Sequence, residues 1–361
     1  MMHNQGIIDI IRGSEQFHNI AGGLQQGLAE LQLYGLPEGL KGIWLAALAL
    51  DHYPILFVTT GSDEAQRLVA DLETFWPDSD ISYLPSAELL PVDINAYSPE
   101  LTAQRLQALL DLVRGRTRVL VVAADTLLHK LPPPQLLRQS ILSFETGQVV
   151  DPQELVQQLV ARGYRREQIV EAPGQFAVRG GIIDIFPMGV EAPIRLEFFD
   201  NEIDSMRYFD LRTQRSVEEI GALIIGPAQE VLLPPDLEPG LTALRAEINQ
   251  VQQKLGTERK GAIAELSERM ERMISQLEMG ICPAGIGQLQ AYFYPLATLF
   301  DYFKRRPLVV LNDPVRLQEE LRRREELRLG LFTEMLNNGQ VLPSQGQIYL
   351  ELAELERLWP G

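Results

Sequence analysis

The chain has 361 residues, 45% hydrophobic and 22% charged, enough for two or three globular domains. Its formal net charge of −17 argues against a chain that holds DNA by itself, because phosphate neutralisation needs a cationic face, although a local basic patch remains compatible with it. No apolar run approaches the roughly 18 residues of a membrane helix. The N-terminus lacks the basic-then-apolar pattern of a signal peptide. The single cysteine, Cys282, excludes an internal disulfide and fits a reducing, cytoplasmic setting.

The first third alternates apolar runs with helical patterns. "PILFVTT" (54–60) predicts a strand buried on both faces. "SDEAQRLVADLETFW" (62–76) predicts a helix, with Ser62 or Asp63 as its N-cap. "ISYLP" (81–85) predicts a short strand, and "SPELTAQRLQALLDLVRG" (98–115) a capped helix ending at Gly115. "TRVLVVAADTLLHKLPPP" (117–134) reads as strand, short helix and proline stop. This alternation predicts a parallel α/β sheet.

The pattern then changes. "DPQELVQQLVARGY" (151–164) predicts a helix with Leu155, Leu159 and Val160 inward. Period-two runs follow at "QFAVRGGIIDIFP" (175–187), "PIRLEFFD" (193–200), "IDSMRYFD" (203–210) and "IGALIIGP" (220–227), with Asp200-Asn201-Glu202 as a hairpin connection. They predict an antiparallel α+β module. Further on, Leu241, Leu244, Ile248, Val251 and Leu255, then Ile263, Leu266, Met270, Met273 and Leu277, step by three and four residues, predicting a helical hairpin that buries its own stripe. A coiled coil for protein recognition is the alternative. "RPLVVLND" (306–313) predicts a buried strand, the charged segment after it a helix, and "GQIYLELAEL" a strand or short helix. The renewed α/β pattern predicts that the N- and C-terminal parts share one sheet, with the middle module inserted.

Several segments invite a chemical reading. "YGLPEGLKGIW" (34–44) approaches the phosphate-binding pattern G-x-x-x-x-G-K-[ST], but counting from Gly35 it offers Leu40 and Gly42 where glycine and a hydroxyl belong. Glu38 adds a carboxylate where backbone N–H groups should wrap phosphate oxygens, and the missing hydroxyl removes a Mg²⁺ ligand. Lys41 alone could still pair with a phosphate, so a divergent ATPase is an alternative. Asp125, after the strand "RVLVVAAD", has no second acid beside it and reads as a helix N-cap. His3, His18, His52 and His129 share no metal-ligand spacing, and Cys282 reads as a small buried hydrophobe. No catalytic residue, metal site or cofactor is expected.

The middle module offers a different surface. In "PIRLEFFD", alternation sends Ile194, Leu196 and Phe198 to one face and Arg195, Glu197 and Phe199 to the other. Arginine and an aromatic together suit a protein-binding hot spot, with Arg179 and Arg207 extending the patch. A solvated face with cross-strand ion pairs, Arg195 with Asp184 or Glu197, is equally compatible with the pattern.

"FAVRGGIIDIFPMGVEAPIRLEFFDNEIDSMRYFDLRTQRS" (176–216) closely resembles the module shared by the excision-repair protein UvrB and the bacterial transcription-repair coupling factors of the Mfd family. The resemblance extends through "LLPVDINAYSPE", "VLVVAADTLLHK" and "CPAGIGQLQAYFYPLATLFDYF", most of the chain. UvrB keeps an intact phosphate loop and a DNA-clamping β-hairpin. Here the loop is degenerate and "NAYSPE" runs straight into a helix, as in the Mfd family. The resemblance implies a UvrB-like fold: residues 1–136 and 227–361 as halves of a degenerate phosphate-loop α/β domain, with an inserted α+β domain at 137–226.

It further implies a non-catalytic module that recruits UvrA to stalled transcription, through Arg179, Arg195 and Phe199. A C-terminal domain of the same full-length protein would mask that surface. RNA polymerase and DNA would be engaged only through further domains, including an ATP-driven translocase, so the chain reads as an N-terminal fragment ending near "LERLWPG". Gly35, Gly39 and Lys41 would be the vestige of a phosphate loop at a strand-to-helix turn. Direct binding of damaged DNA, as by UvrB, is a further alternative.

Overall fold

A computed structural model describes residues 2–51, 54–76, 80–87, 99–255 and 260–358. His52, most of "LLPVDINAYSPE" with the cap of the helix after it, and the Gly256 end of the predicted helical turn lie outside the described residues. So does the run from "NAYSPE" that the sequence sets against a clamping hairpin.

The strands in chain order are β1 (Ile55–Thr59), β2 (Ile81–Leu84), β3 (Val119–Ala123), β4 (Leu142–Glu145), β5 (Arg165–Arg166), β6 (Gln175–Arg179), β7 (Ile182–Phe186), β8 (Ile194–Phe199), β9 (Glu202–Phe209), β10 (Ser216–Glu219), β11 (Ala222–Ile225) and β12 (Leu308–Leu311). Among the described residues they form a parallel sheet in the order β12-β1-β3-β2, a mixed sheet in the order β10-β9-β8-β7-β6-β5, and the pair β11-β4. The fold is thus mixed α/β, with one parallel and one largely antiparallel sheet, as expected of a UvrB-like architecture.

The parallel sheet shows why its strands are apolar throughout. Leu56, Val58, Leu120 and Val122 enter one core, while Ile55, Phe57, Val119 and Val121 enter the other. Helices Pro99–Arg114 and Pro314–Asn337 cover the first face. Helices Met2–Arg12, Glu15–Gln25, Glu38–Ala49 and Ser62–Phe75 cover the second. The first two of these were not assigned from sequence; Phe17 secures them by packing on Trp44, with ring centroids 5.4 Å apart. β12 pairs with β1 in register Ile55↔Leu308, so chain segments on both sides of the middle module build one sheet.

In that module, alternate residues of β6 to β9 meet helix Pro152–Ala161 and the β4–β11 pair in a separate core around Phe176, Leu196, Ile203 and Leu155. Three details depart from the sequence reading. "QFAVRGGIIDIFP" is two strands joined by a two-residue turn: Gly180 has φ +59, and a Cβ on Gly181 would come within 3.0 Å of the Phe198 carbonyl oxygen. The last period-two run becomes β11, which leaves the large sheet to pair with β4. Val160 lies on the outer side of its helix and is 47% exposed, while Leu155 and Leu159 are fully buried.

The remaining helical stripes behave as predicted. Leu241, Leu244, Ile248 and Val251 pack with Leu266, Met270, Met273 and Leu277, so helices Glu238–Leu255 and Lys260–Glu278 bury each other. "GQIYLELAEL" gives a 3₁₀ turn, a single bridge from Tyr349 to His129, and helix Leu352–Leu358. No described helix is long and apolar enough to cross a membrane.

Candidate partner-binding face and vestigial cleft

The carboxyl ends of β1 and β12 open onto a cleft of about 650 Å³, where an open parallel α/β sheet ordinarily receives a ligand. Glu38, Lys41, Thr60, Glu64, Arg67 and Asn312 are among its lining residues. Helix Glu38–Ala49 starts three residues after Gly35, so Gly39 and Lys41 lie inside its first turns rather than in a loop. No described strand precedes it: residues 28–34 have no sheet partner, and β1 comes afterwards. The expected strand-to-helix turn is therefore a coil-to-helix turn.

Three of the polar groups that could serve a phosphate there, on Lys41, Thr60 and Asn312, are already engaged. Lys41 Nζ forms an ion pair with Glu38. The Glu64 carboxylate accepts the Thr60 backbone N–H at 3.2 Å and its hydroxyl at 2.9 Å, and also accepts from Asn312. An acid thus occupies the helix N-terminus where an anion would bind. The helix cap is Gly61, not Ser62 or Asp63.

Asp125 is not an N-cap either. It sits within a 3₁₀ turn, accepts from the Ser86 hydroxyl, and lies 3.6 Å from Arg324. No group of three or more metal-ligating side chains occurs among the described residues. Cys282 is partly buried in the helical-hairpin core, and burial pushes its thiol pKa up, disfavouring the thiolate.

The antiparallel sheet places the predicted face residues as strand alternation requires. One cross-strand row reads Ala177, Asp184, Arg195, Arg207, Glu219. The next reads Arg179, Ile182, Glu197, Ser205. β9 carries one extra residue, Asp204, between the partners of Glu197 and Phe198; the bulge keeps Phe199 opposite Glu202 and on the same face as Arg195. Phe199 stands at the hairpin end, where Asp200 has φ +57, and is 79% exposed.

Arg195 is far less accessible than the pattern suggests: its side chain is only 15% exposed. Its Nε and Nη2 donate to the two Asp184 oxygens at 2.7 and 2.9 Å, and Nη1 donates to the Gln214 carbonyl at 3.3 Å. The guanidinium lies 4.7 Å from the Phe209 ring centroid, over a small apolar cluster of Val170, Ala177, Phe186 and Phe209. Asp184 is buried, and its hydrogen bonds to Arg195 raise the arginine pKa further. The ion pair anticipated between Arg195 and Asp184 therefore exists; Glu197 instead accepts from Ser205 at 2.8 Å.

Arg179 is more open, 45% exposed at the side chain and 3.7 Å from Asp184. Arg207 lies 3.6 Å from Glu219 at the outer edge. The face is thus an aromatic and two accessible arginines arranged around a fixed, buried ion pair. The covering of Arg195 by 210–215 escaped the sequence reading because strand period says nothing about what a following loop lays over a face.

The comparisons with known proteins fall on this same module. Residues 142–231 match the UvrB interaction domain family. Over 342 residues, 92% of this chain and 28% of the relative, the chain is 32% identical to the transcription-repair-coupling factor of Bacillus subtilis. It is 34% identical over 255 residues to that of Haemophilus influenzae, covering 70% of this chain and 20% of the relative. With the Escherichia coli factor it shares 32% over 259 residues, 71% of this chain and 21% of the relative. Over most of its length the chain is homologous to transcription-repair-coupling factors, spanning between a fifth and about 28% of the length of these relatives.

Proposed function

We propose that this chain is the UvrA-binding module of a transcription-repair coupling factor, acting in the cytoplasm to bring the excision-repair machinery to stalled transcription. The observation that carries the reading is the coincidence of a match to the UvrB interaction domain family with a sheet face that carries exposed Phe199 together with Arg179 and Arg207. An exposed aromatic flanked by arginines is the composition of a binding hot spot. Arg195, fixed on Asp184, sets the shape and charge of the face and presents its remaining edge to the partner.

The chain acts by binding rather than catalysis, a reading supported by the engagement of Lys41 with Glu38 and of Thr60 and Asn312 with Glu64 in the sheet-edge cleft. We assign residues 1–136 and 227–361 to the α/β domain and 137–226 to the partner-binding domain. In the longer parent, the translocase activity and the contacts with RNA polymerase and DNA belong to other domains. One of these, C-terminal, covers the UvrA-binding face until it is released.

The test is a titration of UvrA with the 361-residue chain. Phe199→Ala and Arg179→Ala should each weaken binding by about 2 kcal/mol, roughly thirtyfold, with an unchanged melting temperature for the exposed Phe199 and a small decrease for Arg179, which gives up its ion pair with Asp184. Wild-type affinity in both variants would remove the face assignment.

A further inference from the structure

The hairpin end of the face continues onto a segment that the strand pattern did not connect to it. Residues 147–150 run antiparallel along the start of β9. The Gly147 N–H donates to the Ile203 carbonyl at 2.8 Å, the Ile203 N–H to the Gln148 carbonyl at 2.9 Å, and the Val150 N–H to the Asn201 carbonyl at 2.7 Å. Val149 is thereby bridged to Glu202, and Glu202 is paired on its other side with Phe199.

Residues paired across antiparallel strands project to the same side of the sheet. Phe199, Glu202 and Val149 therefore form one row on the arginine-bearing face. The two outer members are two strand spacings apart, about 10 Å between Cα atoms. Val149 is 74% exposed and Phe199 79% exposed. A main-chain ladder holds both, so neither has to be ordered on binding. Val150, the next residue, turns inward against the module core.

Charge divides the face. Arg195 and Arg207 lie two rows further along the strands and Arg179 lies in the adjoining row two strands away, each beside an acidic partner, while Asp200, Glu202 and Asp204 are exposed around the Phe199–Val149 row. We infer that Val149 is a second apolar partner contact, and that the row Phe199–Glu202–Val149 seats an apolar patch of UvrA bordered by cationic side chains. This rests on the proposed UvrA reading and adds to it the side of the partner that the hairpin end meets.

The same titration of the 361-residue chain with UvrA tests it. Val149→Asp should weaken binding at least tenfold without lowering the melting temperature. The isosteric Val149→Thr keeps a strand-compatible shape, should weaken it about threefold, and decides the matter if the aspartate variant unfolds. Glu202→Lys should weaken binding, by less as salt is raised. Val149 variants that fold and bind at wild-type affinity would overturn the inference and leave the UvrA reading standing. Unchanged affinity of Glu202→Lys would remove the cationic border. Absence of UvrA binding by the wild-type chain would overturn the reading itself, and this inference with it.

Discussion

The cleft at the parallel sheet and the face of the antiparallel sheet use similar residue types to opposite ends. The cleft has the concavity of a ligand site, but the groups at its phosphate-loop position are consumed internally: Lys41 by Glu38, Thr60 and Asn312 by Glu64. On the face, Phe199, Val149 and Arg179 project to solvent from a hydrogen-bonded strand ladder. Concavity at the carboxyl edge of a parallel sheet comes with the architecture. Capacity to bind depends on which groups the architecture leaves uncommitted.

The largest expected effect strikes the fixed ion pair of the face. Arg195→Ala leaves the Asp184 carboxylate buried, with Arg179 3.7 Å away as an ion partner. It should cost about 3–5 kcal/mol in urea unfolding, and the double change Asp184→Leu with Arg195→Met should recover most of that. A loss under about 1 kcal/mol would reduce the face to an ordinary solvated surface and break the comparison. Loss of UvrA binding on altering Arg195 therefore has to be read together with a stability measurement.

The next effect belongs to the parallel-sheet side. Burial, with Arg105 and Arg328 nearby, lowers the His129 pKa to about 3. Its folded pKa lies below the unfolded value of about 6.5, so the unfolded chain binds the extra proton. Stability is full above pH 6.5 and falls as pH drops toward 3, by roughly 2–3 kcal/mol at pH 4.5. Hydrogen exchange at that pH should show β1 and β3 opening before β6 to β9, and His129→Leu should flatten this acid limb. An acid limb unchanged in His129→Leu would locate the pH sensitivity elsewhere.

The smallest effect tests the cleft. Lys41→Ala should change stability by no more than about 0.5 kcal/mol, and calorimetry with ATP and Mg²⁺ should give no binding isotherm for either protein. A clear isotherm that Lys41→Ala removes would show that the cleft keeps its ligand chemistry.

Much of the architecture was legible locally. β1 read as doubly buried because both of its faces are covered, and every second residue finds a core; β3 beside it, read simply as a strand, is covered in the same way. The stripes of Glu238–Leu255 and Lys260–Glu278 read as a self-burying pair because three-and-four spacing defines one helix face. Less legible were β4 and β10, short segments on sheet edges with no sustained alternation. The caps at Gly61 and around Asp125 were misplaced because another side chain, Glu64 in the same helix or Arg324 from a distant part of the chain, competes for the same groups. At the face, Arg195 and Phe199 were assigned to one side correctly. The burial of Arg195 was not legible, because it depends on the loop that carries Gln214.

Backbone geometry makes certain relations local, and these the sequence determined by itself: alternate side chains on opposite faces of β8, a helix stripe inward, a phosphate loop missing its glycine and hydroxyl. The tertiary structure alone decided which distant segments share a row or a charge: Leu308 beside Ile55, Asp184 under Arg195, Val149 across Glu202 from Phe199. Strand period fixes the side on which a residue points, whereas register between segments far apart in the chain is set only when their apolar faces pack and their backbone groups pair.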